Sequence, residues 1–342
     1  MTEQTALREA DSSPLHEHDL LLLDLDGVVY VGDRAVDGAA AAIRRARNQD
    51  ARVGFVTNNA SRTPDAIAEA LHSLGVDAEP SDIVTAAMAA ADLLAARYPT
   101  GSAILVVGGE GLRAAIADAG LRPVSDAEQQ PRAVVQGWSP DVGWTQLAEA
   151  MVALAAGADW LATNLDRTLP SPRGPLPGNG SLVAALATAS GREPDSAGKP
   201  APALFRTAVD RLGGTRPLMV GDRLETDIRG ARQAGFASMA VLTGVATPAD
   251  LIAAAPPDRP DYLAADLAGV FAPHPPVAVD GDVSRCGATA LRWDGARLEV
   301  GPVPGPASTD GLDPLRALCG LTWQQRIPPD HYAAALAAIG QR

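Results

Sequence analysis

Two aspartates separated by one residue, Asp24 and Asp26, follow a run of four leucines and precede Gly27. Side chains alternate along an extended strand, so the two carboxylates are expected on the same side of the backbone. One of them can attack as a nucleophile while the other gives or takes a proton, and crowded carboxylates also suit Mg²⁺. A calcium loop or an ordinary turn is the alternative, but the leucines argue against an exposed loop and the later calcium ligands are missing.

Two other apolar runs also end in polar residues. The run 52–56 leads into Thr-Asn-Asn at 57–59, which supplies a hydroxyl, amides and backbone N–H groups where a helix is expected to begin. Helix N-termini favour anions, although a simple helix cap is the commoner use of Thr or Asn there. The run 217–220 is followed by Asp222 and, after one turn, by Asp227. Taken alone, these two aspartates predict a cap and a surface residue.

Lys199 is the only lysine among the 28 lysine and arginine residues of the chain. Lysine is a compact charge that can sit between several anionic oxygens, whereas arginine is a planar fork. Gly198 and Pro200 flank the lysine and constrain the local backbone. Chance is the alternative explanation, since a single lysine must fall somewhere.

The elements that must position these residues follow an α/β pattern. Strand-like and helix-like segments alternate from about residue 19 to residue 272, as in a doubly wound parallel sheet. Each apolar strand named above delivers polar residues at its carboxyl end. Ligands bind at that edge of open α/β sheets, so we expect the aspartates, the Thr-Asn-Asn group and the lysine to serve one ligand.

Two further segments have patterns of their own. The strand-like stretches 104–107, 133–135 and 160–162 and the helix-like stretches 112–119 and 145–156 predict an inserted α/β domain. We therefore expect a discontinuous core, 15–85 and 191–272, an inserted domain, 86–190, and a C-terminal α+β extension, 277–342. The extension should contain a hairpin around Asp294-Gly295 and helices near 312–319 and 330–339.

Composition restricts the class of protein. The chain has 342 residues, 46% of them hydrophobic and 20% charged, which suits a globular protein. A formal net charge of -13 disfavours nucleic acid and anionic membranes as partners. With two cysteines, a polar acidic start and no long apolar run, we expect a cytoplasmic protein without a disulfide framework or membrane span. A homodimer is left open.

Together these motifs resemble those of the haloacid-dehalogenase-like phosphatases. They are Asp24-Leu25-Asp26-Gly27, Thr57-Asn58-Asn59, Gly198-Lys199-Pro200 and Gly221-Asp222 with Thr226-Asp227. The insert resembles a type-C2 cap, and the stretch from Thr163-Asn164-Leu165-Asp166 to Pro177-Gly178-Asn179-Gly180 is typical of the branch with p-nitrophenyl, phosphoglycolate and glycerol-3-phosphate phosphatases. The resemblance covers about 20–270 and implies a Rossmannoid α/β core with an inserted cap.

The resemblance also implies the role of each site residue. Asp24 would attack phosphorus to form an aspartyl-phosphate, while Asp26 would protonate the leaving group and then activate water. Asp24, Asp222 and the backbone carbonyl of Asp26 would hold Mg²⁺, with Asp227 orienting its waters or the lysine. The residues expected to bind substrate are Thr57, Asn58, Asn59, Lys199, Asn164 and Asp166.

The implied activity is hydrolysis of a small phosphorylated metabolite. By family analogy we expect glycerol 3-phosphate first, 2-phosphoglycolate second and pyridoxal phosphate third. A phosphotransferase or mutase is a related alternative. An alternative from another class is a phosphate-ligand sensor or scaffold that acts through the C-terminal extension, although none of the four motifs is degraded.

Two weaker signals are interpreted as structural. Gly109-Glu110-Gly111-Leu112-Arg113-Ala114 fits a dinucleotide fingerprint, but it lies in the insert, where such glycines serve tight turns. Trp138, Trp144 and Trp160 are expected in the core of the cap rather than in a recognition platform.

Overall fold

A computed structural model describes residues 6–171 and 173–341. Its strands are β1 (Leu20–Leu23), β2 (Tyr30–Val31), β3 (Arg34–Ala35), β4 (Arg52–Thr57), β5 (Ile83–Thr85), β6 (Ala103–Val107), β7 (Arg122–Val124), β8 (Ala133–Gln136), β9 (Asp159–Ala162), β10 (Thr168–Leu169), β11 (Leu176–Pro177), β12 (Asp195–Ser196), β13 (Pro217–Gly221), β14 (Ala237–Val241), β15 (Tyr262–Ala264), β16 (Val277–Asp280), β17 (Val283–Cys286), β18 (Thr289–Trp293) and β19 (Leu298–Pro302).

The α-helices are mostly short and alternate with these strands up to β15. They are α1 (Pro14–Glu17), α2 (Ala39–Arg47), α3 (Pro64–Ser73), α4 (Ala86–Arg97), α5 (Glu110–Asp118), α6 (Trp144–Ala155), α7 (Asn179–Ser190), α8 (Pro202–Leu212), α9 (Arg229–Ala234), α10 (Pro248–Ile252), α11 (Asp313–Trp323) and α12 (Tyr332–Ala338). A π-helical turn, Leu224–Ile228, precedes α9. No helix in the described part of the chain is both long and apolar enough to span a membrane.

The chain forms two compact units. The first unit comprises Met1–Val53 with Gly214–Arg342, and the second unit comprises Gly54–Gly213. These boundaries differ from the predicted 85/86 and 190/191, because α4 packs against both α5 and α8 and so joins the segments on either side of the insert. The functional boundaries 15–85 with 191–272, 86–190 and 277–342 remain predictions.

The first unit contains the parallel strands β1, β13, β14 and β15. β1 pairs with β13, from Leu20 opposite Pro217 to Leu23 opposite Val220, and β13 pairs with β14. All four leucines of β1 are buried, as a strand covered on both faces requires. Parallel pairing brings the carboxyl ends of β1 and β13 to the same sheet edge, where Asp24 and Asp222 follow them.

The second unit contains a parallel sheet of its own, in the order β12-β9-β8-β6-β7. The predicted strands and helices of the insert are confirmed with shifts of one or two residues at their ends. Trp160 is 4% exposed and packs in the core of this unit. The prediction for Trp144 was wrong, because Trp144 is the first residue of α6 and is 82% exposed.

The glycines of the dinucleotide-like sequence permit close backbone packing. A β-carbon at Gly111 would overlap the Arg62 carbonyl, and one at Gly109 would lie 3.0 Å from the Ser61 carbonyl oxygen. The Gly111 N–H also donates to that Ser61 oxygen at 3.1 Å. Packing against residues 61 and 62 therefore accounts for both glycines in structural terms.

The C-terminal segment forms an antiparallel sheet, β16-β17-β18-β19, covered by α11. The predicted hairpin is confirmed, with Trp293 opposite Leu298 and the Asp294 carboxylate accepting two backbone N–H groups of the turn. The Trp323 indole donates to the Leu251 carbonyl oxygen at 2.8 Å, and the buried Arg316 guanidinium donates to the Leu263 carbonyl oxygen at 2.6 Å. One hydrophobic cluster joins this segment to α10, β14 and β15, so it braces the first unit.

Candidate active site

In the first unit, Asp24 and Asp26 occupy a tight loop directly after β1. The Asp24 N–H donates to the Val220 carbonyl oxygen at 3.0 Å, which extends the β1–β13 ladder into the loop. The Asp24 side chain is 8% exposed, whereas Asp26 is half-buried. The Tyr30 hydroxyl lies 3.5 Å from Asp26 Oδ2 and donates to it.

Asp222 precedes the π-helical turn after β13, and Asp227 lies within that turn. Both side chains are buried, at 1% and 0% exposure. The Arg223 N–H donates to Asp227 Oδ2 at 3.0 Å, and a β-carbon at Gly221 would overlap the Asp227 side chain. The glycine of the Gly-Asp motif therefore provides the space that Asp227 occupies.

The structure brings three of the predicted acidic residues together. Asp24, Asp222 and Asp227 each offer a carboxylate oxygen, and these oxygens lie within 4.8 Å of one another. Buried carboxylates at this separation repel each other, and a divalent cation between them would offset the repulsion. The donor set fits Mg²⁺, which prefers hard oxygen ligands. The Asp26 side chain is outside this group, in keeping with a role through its backbone carbonyl or as a proton carrier.

In the second unit, Lys199 is 4% exposed, and two hydrogen bonds join its backbone to the side-chain amide of Asn58. Asn58 Oδ1 accepts the Lys199 N–H at 2.8 Å, and Asn58 Nδ2 donates to the Lys199 carbonyl oxygen at 3.1 Å. The Lys199 ammonium donates to the Val56 carbonyl oxygen at 3.3 Å. A β-carbon at Gly198 would lie 2.6 Å from Asn58 Oδ1, so the glycine before the lysine allows this contact.

The predicted cap residues Asn164 and Asp166 contact the same asparagine. Asn164 Nδ2 donates to the Asn58 carbonyl oxygen at 2.8 Å, and Asp166 Oδ2 accepts from Asn58 Nδ2 at 3.0 Å. Asn179, whose role the sequence reasoning missed, donates to the Asn164 carbonyl oxygen at 2.7 Å. We call Asn58, Asn164, Asp166 and Lys199 the lysine network.

Thr57 and Asn59 differ in their surroundings. Thr57 is 4% exposed at the end of β4, and its hydroxyl accepts the Asn59 N–H at 3.1 Å. The Asn59 side chain is exposed and accepts the N–H groups of Ser61 and Arg62, so it caps the turn before α3. Asn59 therefore does not join the side chains of the lysine network.

A group of buried carboxylates at the strand ends of a parallel α/β core is typical of α/β enzymes that depend on a divalent cation. Comparisons with known proteins agree. A family model for haloacid dehalogenase-like hydrolases matches residues 21–122, and a second model for HAD-hydrolase-like proteins matches residues 196–270. The D-glycerol 3-phosphate phosphatase of Mycobacterium tuberculosis is 45% identical over 326 residues, covering 92% of this chain and 88% of the relative.

Two further relatives extend the comparison. The acid sugar phosphatase of Staphylococcus epidermidis is 35% identical, covering 69% of this chain and 91% of the relative. The crystal structure of a Mycobacterium tuberculosis glycerol phosphate phosphatase in complex with magnesium has a TM-score of 0.84 and 42% identity, covering 95% of this chain and 98% of that structure. The chain belongs to the haloacid dehalogenase-like hydrolase family, with a Rossmannoid core, an inserted α/β cap and an α+β extension.

Proposed function

We propose that this protein is a Mg²⁺-dependent phosphatase that hydrolyses a small organic phosphomonoester, with glycerol 3-phosphate as its preferred substrate. The observation that carries the proposal is the buried cluster of Asp24, Asp222 and Asp227. Glycerol 3-phosphate is supported by 45% identity to a D-glycerol 3-phosphate phosphatase, because the alignment covers 92% of this chain and so extends beyond the core and cap.

In the proposed reaction, an Asp24 oxygen attacks phosphorus and the bond from phosphorus to the alcohol oxygen breaks. Asp26 gives its proton to the leaving oxygen, which departs as glycerol and leaves an aspartyl-phosphate. Asp26 then takes a proton from water as the water oxygen attacks phosphorus, which releases phosphate and restores Asp24. We assign both steps to Asp26 because it lies two residues from Asp24 in the same loop, is half-buried, and its side chain is outside the carboxylate group that would hold the metal ion.

Other residues would supply charge and orientation. Mg²⁺ held by Asp24, Asp222 and the Asp26 carbonyl, with Asp227 beside them, would neutralise charge on the phosphoryl group. We propose that Thr57 and Lys199 bind phosphoryl oxygens, because positioned donors and cations provide most of the catalysis in phosphoryl transfer. In the lysine network the Asn58 side chain is engaged with Lys199 and Asp166, so we assign it to holding the lysine rather than to the phosphate.

The test is phosphate release with Mg²⁺ from glycerol 3-phosphate, 2-phosphoglycolate, pyridoxal phosphate and an acid sugar phosphate. We expect the highest kcat/KM for glycerol 3-phosphate, loss of turnover in EDTA and recovery with Mg²⁺. A higher value for another substrate would replace our assignment. Binding without turnover would instead favour the sensor, and phosphate transfer to added alcohols would favour a phosphotransferase.

The composition supports a cytoplasmic location, which we also propose, since the chain is acidic and has two cysteines, both buried and free. A homodimer remains a prediction.

A further inference from the structure

A loop that the motif reasoning did not single out contacts the candidate metal ligand Asp222. Residues 243–246 form a loop that begins two residues after the end of β14, and β14 pairs in parallel with β13. The Val245 N–H donates to Asp222 Oδ2 at 2.7 Å, and the Ala246 N–H donates to the Asp222 carbonyl oxygen at 2.8 Å. The loop therefore holds both the main chain and the carboxylate of Asp222.

Two glycines enclose the same carboxylate oxygen. A β-carbon at either Gly27 or Gly244 would overlap Asp222 Oδ2, and one at Gly244 would also lie 2.8 Å from the Gly27 α-carbon. Gly27 has a φ of +85°, so its conformation also favours glycine, whereas Gly244 lies outside that region of φ. At Gly244, a glycine is required because there is no room for a β-carbon, and not because of the backbone conformation.

A side-chain hydrogen bond closes the arrangement. The Thr243 hydroxyl donates to the Gly27 carbonyl oxygen at 2.5 Å, which ties the loop after β14 to the loop after β1. The latter loop carries Asp24 and Asp26. Thr243 thus connects the segment that holds Asp222 with the segment that supplies the proposed nucleophile.

We propose that residues 243–246, which we call the Asp222 clamp, are positioning residues that fix the Asp222 carboxylate for the metal ion. A carboxylate with one oxygen held by a backbone N–H, between two glycine α-carbons, has few other orientations available. A ligand fixed in this way loses little freedom when it binds a cation, and groups that orient metal ligands commonly contribute about 10- to 100-fold to metal affinity. The inference rests on the proposed metal-dependent function.

The experiment compares Gly244→Ala, Thr243→Val and Thr243→Ser in the full chain. Binding is measured without substrate, by electron paramagnetic resonance of free Mn²⁺ and competition by Mg²⁺, since Mn²⁺ accepts the same oxygen ligands. Gly301→Ala is the matched glycine control, because Gly301 lies in β19 with open space where a β-carbon would stand. Urea unfolding in EDTA gives the stability of each metal-free variant.

We expect Gly244→Ala to weaken Mn²⁺ binding by about 10- to 100-fold and Thr243→Val by about tenfold, in line with other groups that orient metal ligands. Thr243→Ser keeps the hydroxyl and should bind as the wild type does, as should Gly301→Ala. The unfolding midpoint of Thr243→Val in EDTA should stay near that of Thr243→Ser, which a purely structural role would not produce.

Wild-type affinity in Thr243→Val would overturn the clamp, as would a loss of affinity matched by an equal loss of metal-free stability. Thr243→Val also decides the matter if Gly244→Ala fails to fold. A wild-type protein that binds neither Mn²⁺ nor Mg²⁺ would contradict the proposed metal-dependent function itself, so the two failures are distinguishable.

Discussion

The carboxylate cluster of the first unit and the lysine network of the second unit are held in place by different means. Asp222 and Asp227 are fixed by backbone N–H groups and by glycines that leave room for their side chains. Lys199 is fixed through the side-chain amide of Asn58, a residue 141 positions away in the chain. The acidic centre therefore depends on loop backbone, whereas the cationic centre depends on the chemistry of individual side chains.

This difference predicts how each centre responds to substitution. Substitution of a glycine beside the carboxylates acts mainly by steric overlap, because an added β-carbon would occupy the position of a carboxylate atom. A change within the lysine network acts through the pattern of donors and acceptors, and a complementary second change can repair it. The largest effect of a substitution is expected in the carboxylate cluster.

Asp24→Asn should reduce kcat/KM for glycerol 3-phosphate by about 10⁴-fold or more, as the loss of a nucleophile does in other enzymes. The amide cannot attack phosphorus, but it has nearly the shape of the carboxylate, so the fold should persist. Steady-state kinetics and thermal unfolding measure the two effects. The exposed Asp280→Asn is the matched control, and appreciable turnover by Asp24→Asn would contradict the nucleophile assignment.

Lys199→Arg should reduce kcat/KM by about 10²-fold, comparable to the loss of one preorganised donor. The charge is retained, but a guanidinium is a wide fork, and the buried lysine is enclosed by its contacts with Val56 and Asn58. Lys199→Met serves as the uncharged reference. Near-normal kinetics for the arginine variant would show that the network positions a charge of either shape.

Asn58→Asp should reduce kcat/KM by about tenfold, since it loses the Nδ2 hydrogen bonds to the Asp166 carboxylate and to the Lys199 carbonyl oxygen. The new carboxylate could still accept the Lys199 N–H, but it would face Asp166 across a contact that is now 3.0 Å long. Asp166→Asn in the same chain restores a donor to that contact. A double variant more active than the two single effects combined would support the network, while simple additivity would argue against it.

The sequence predicted the α/β core, the strands and helices of the insert and most residues of the candidate site because these depend on local patterns. Buried strands of a parallel sheet appear as apolar runs, and the residues that follow them lie at one edge. The loop after β14, which contains Thr243 and Gly244, lies at the same edge but was not predicted from the sequence. The sequence of β14, Ala-Ser-Met-Ala-Val, has only a weak apolar pattern and therefore does not indicate a buried strand.

Other features could not be predicted because they depend on distant contacts. The pairing of Asn58 with Lys199 and Asp166 joins residues more than a hundred positions apart. The exposure of Trp144 depends on which face of α6 packs against the sheet, and a tryptophan at the first position of a helix falls outside that packing. The shared hydrophobic cluster that joins the C-terminal segment to the first unit is likewise a tertiary property.

The smallest expected effect is a pH dependence that arises from a buried histidine of the first unit. His274 is buried, its Nε2–H donates to the Gly269 carbonyl oxygen, and its ring meets Tyr262 edge-on at 5.4 Å. Burial lowers the pKa of His274 below its ordinary 6.5, and the nearby charges of Arg316, Asp310 and Glu17 modify it less than burial does. Among the described residues of the second unit, the single histidine, His72, is exposed.

The free energy of unfolding should therefore fall as the pH drops below about 6.5, because the unfolded chain takes up a proton that folded His274 resists. The slope due to this one group cannot exceed about 1.4 kcal/mol per pH unit. His274→Gln keeps a donor for Gly269 but does not titrate, so urea midpoints between pH 5 and pH 8 should vary less in this variant than in the wild type. His72→Gln, at the exposed histidine of the second unit, is the matched control. An unaltered slope in His274→Gln would assign the acid sensitivity to other groups, of which half-buried His18, whose pKa is also lowered by burial, is the first to test.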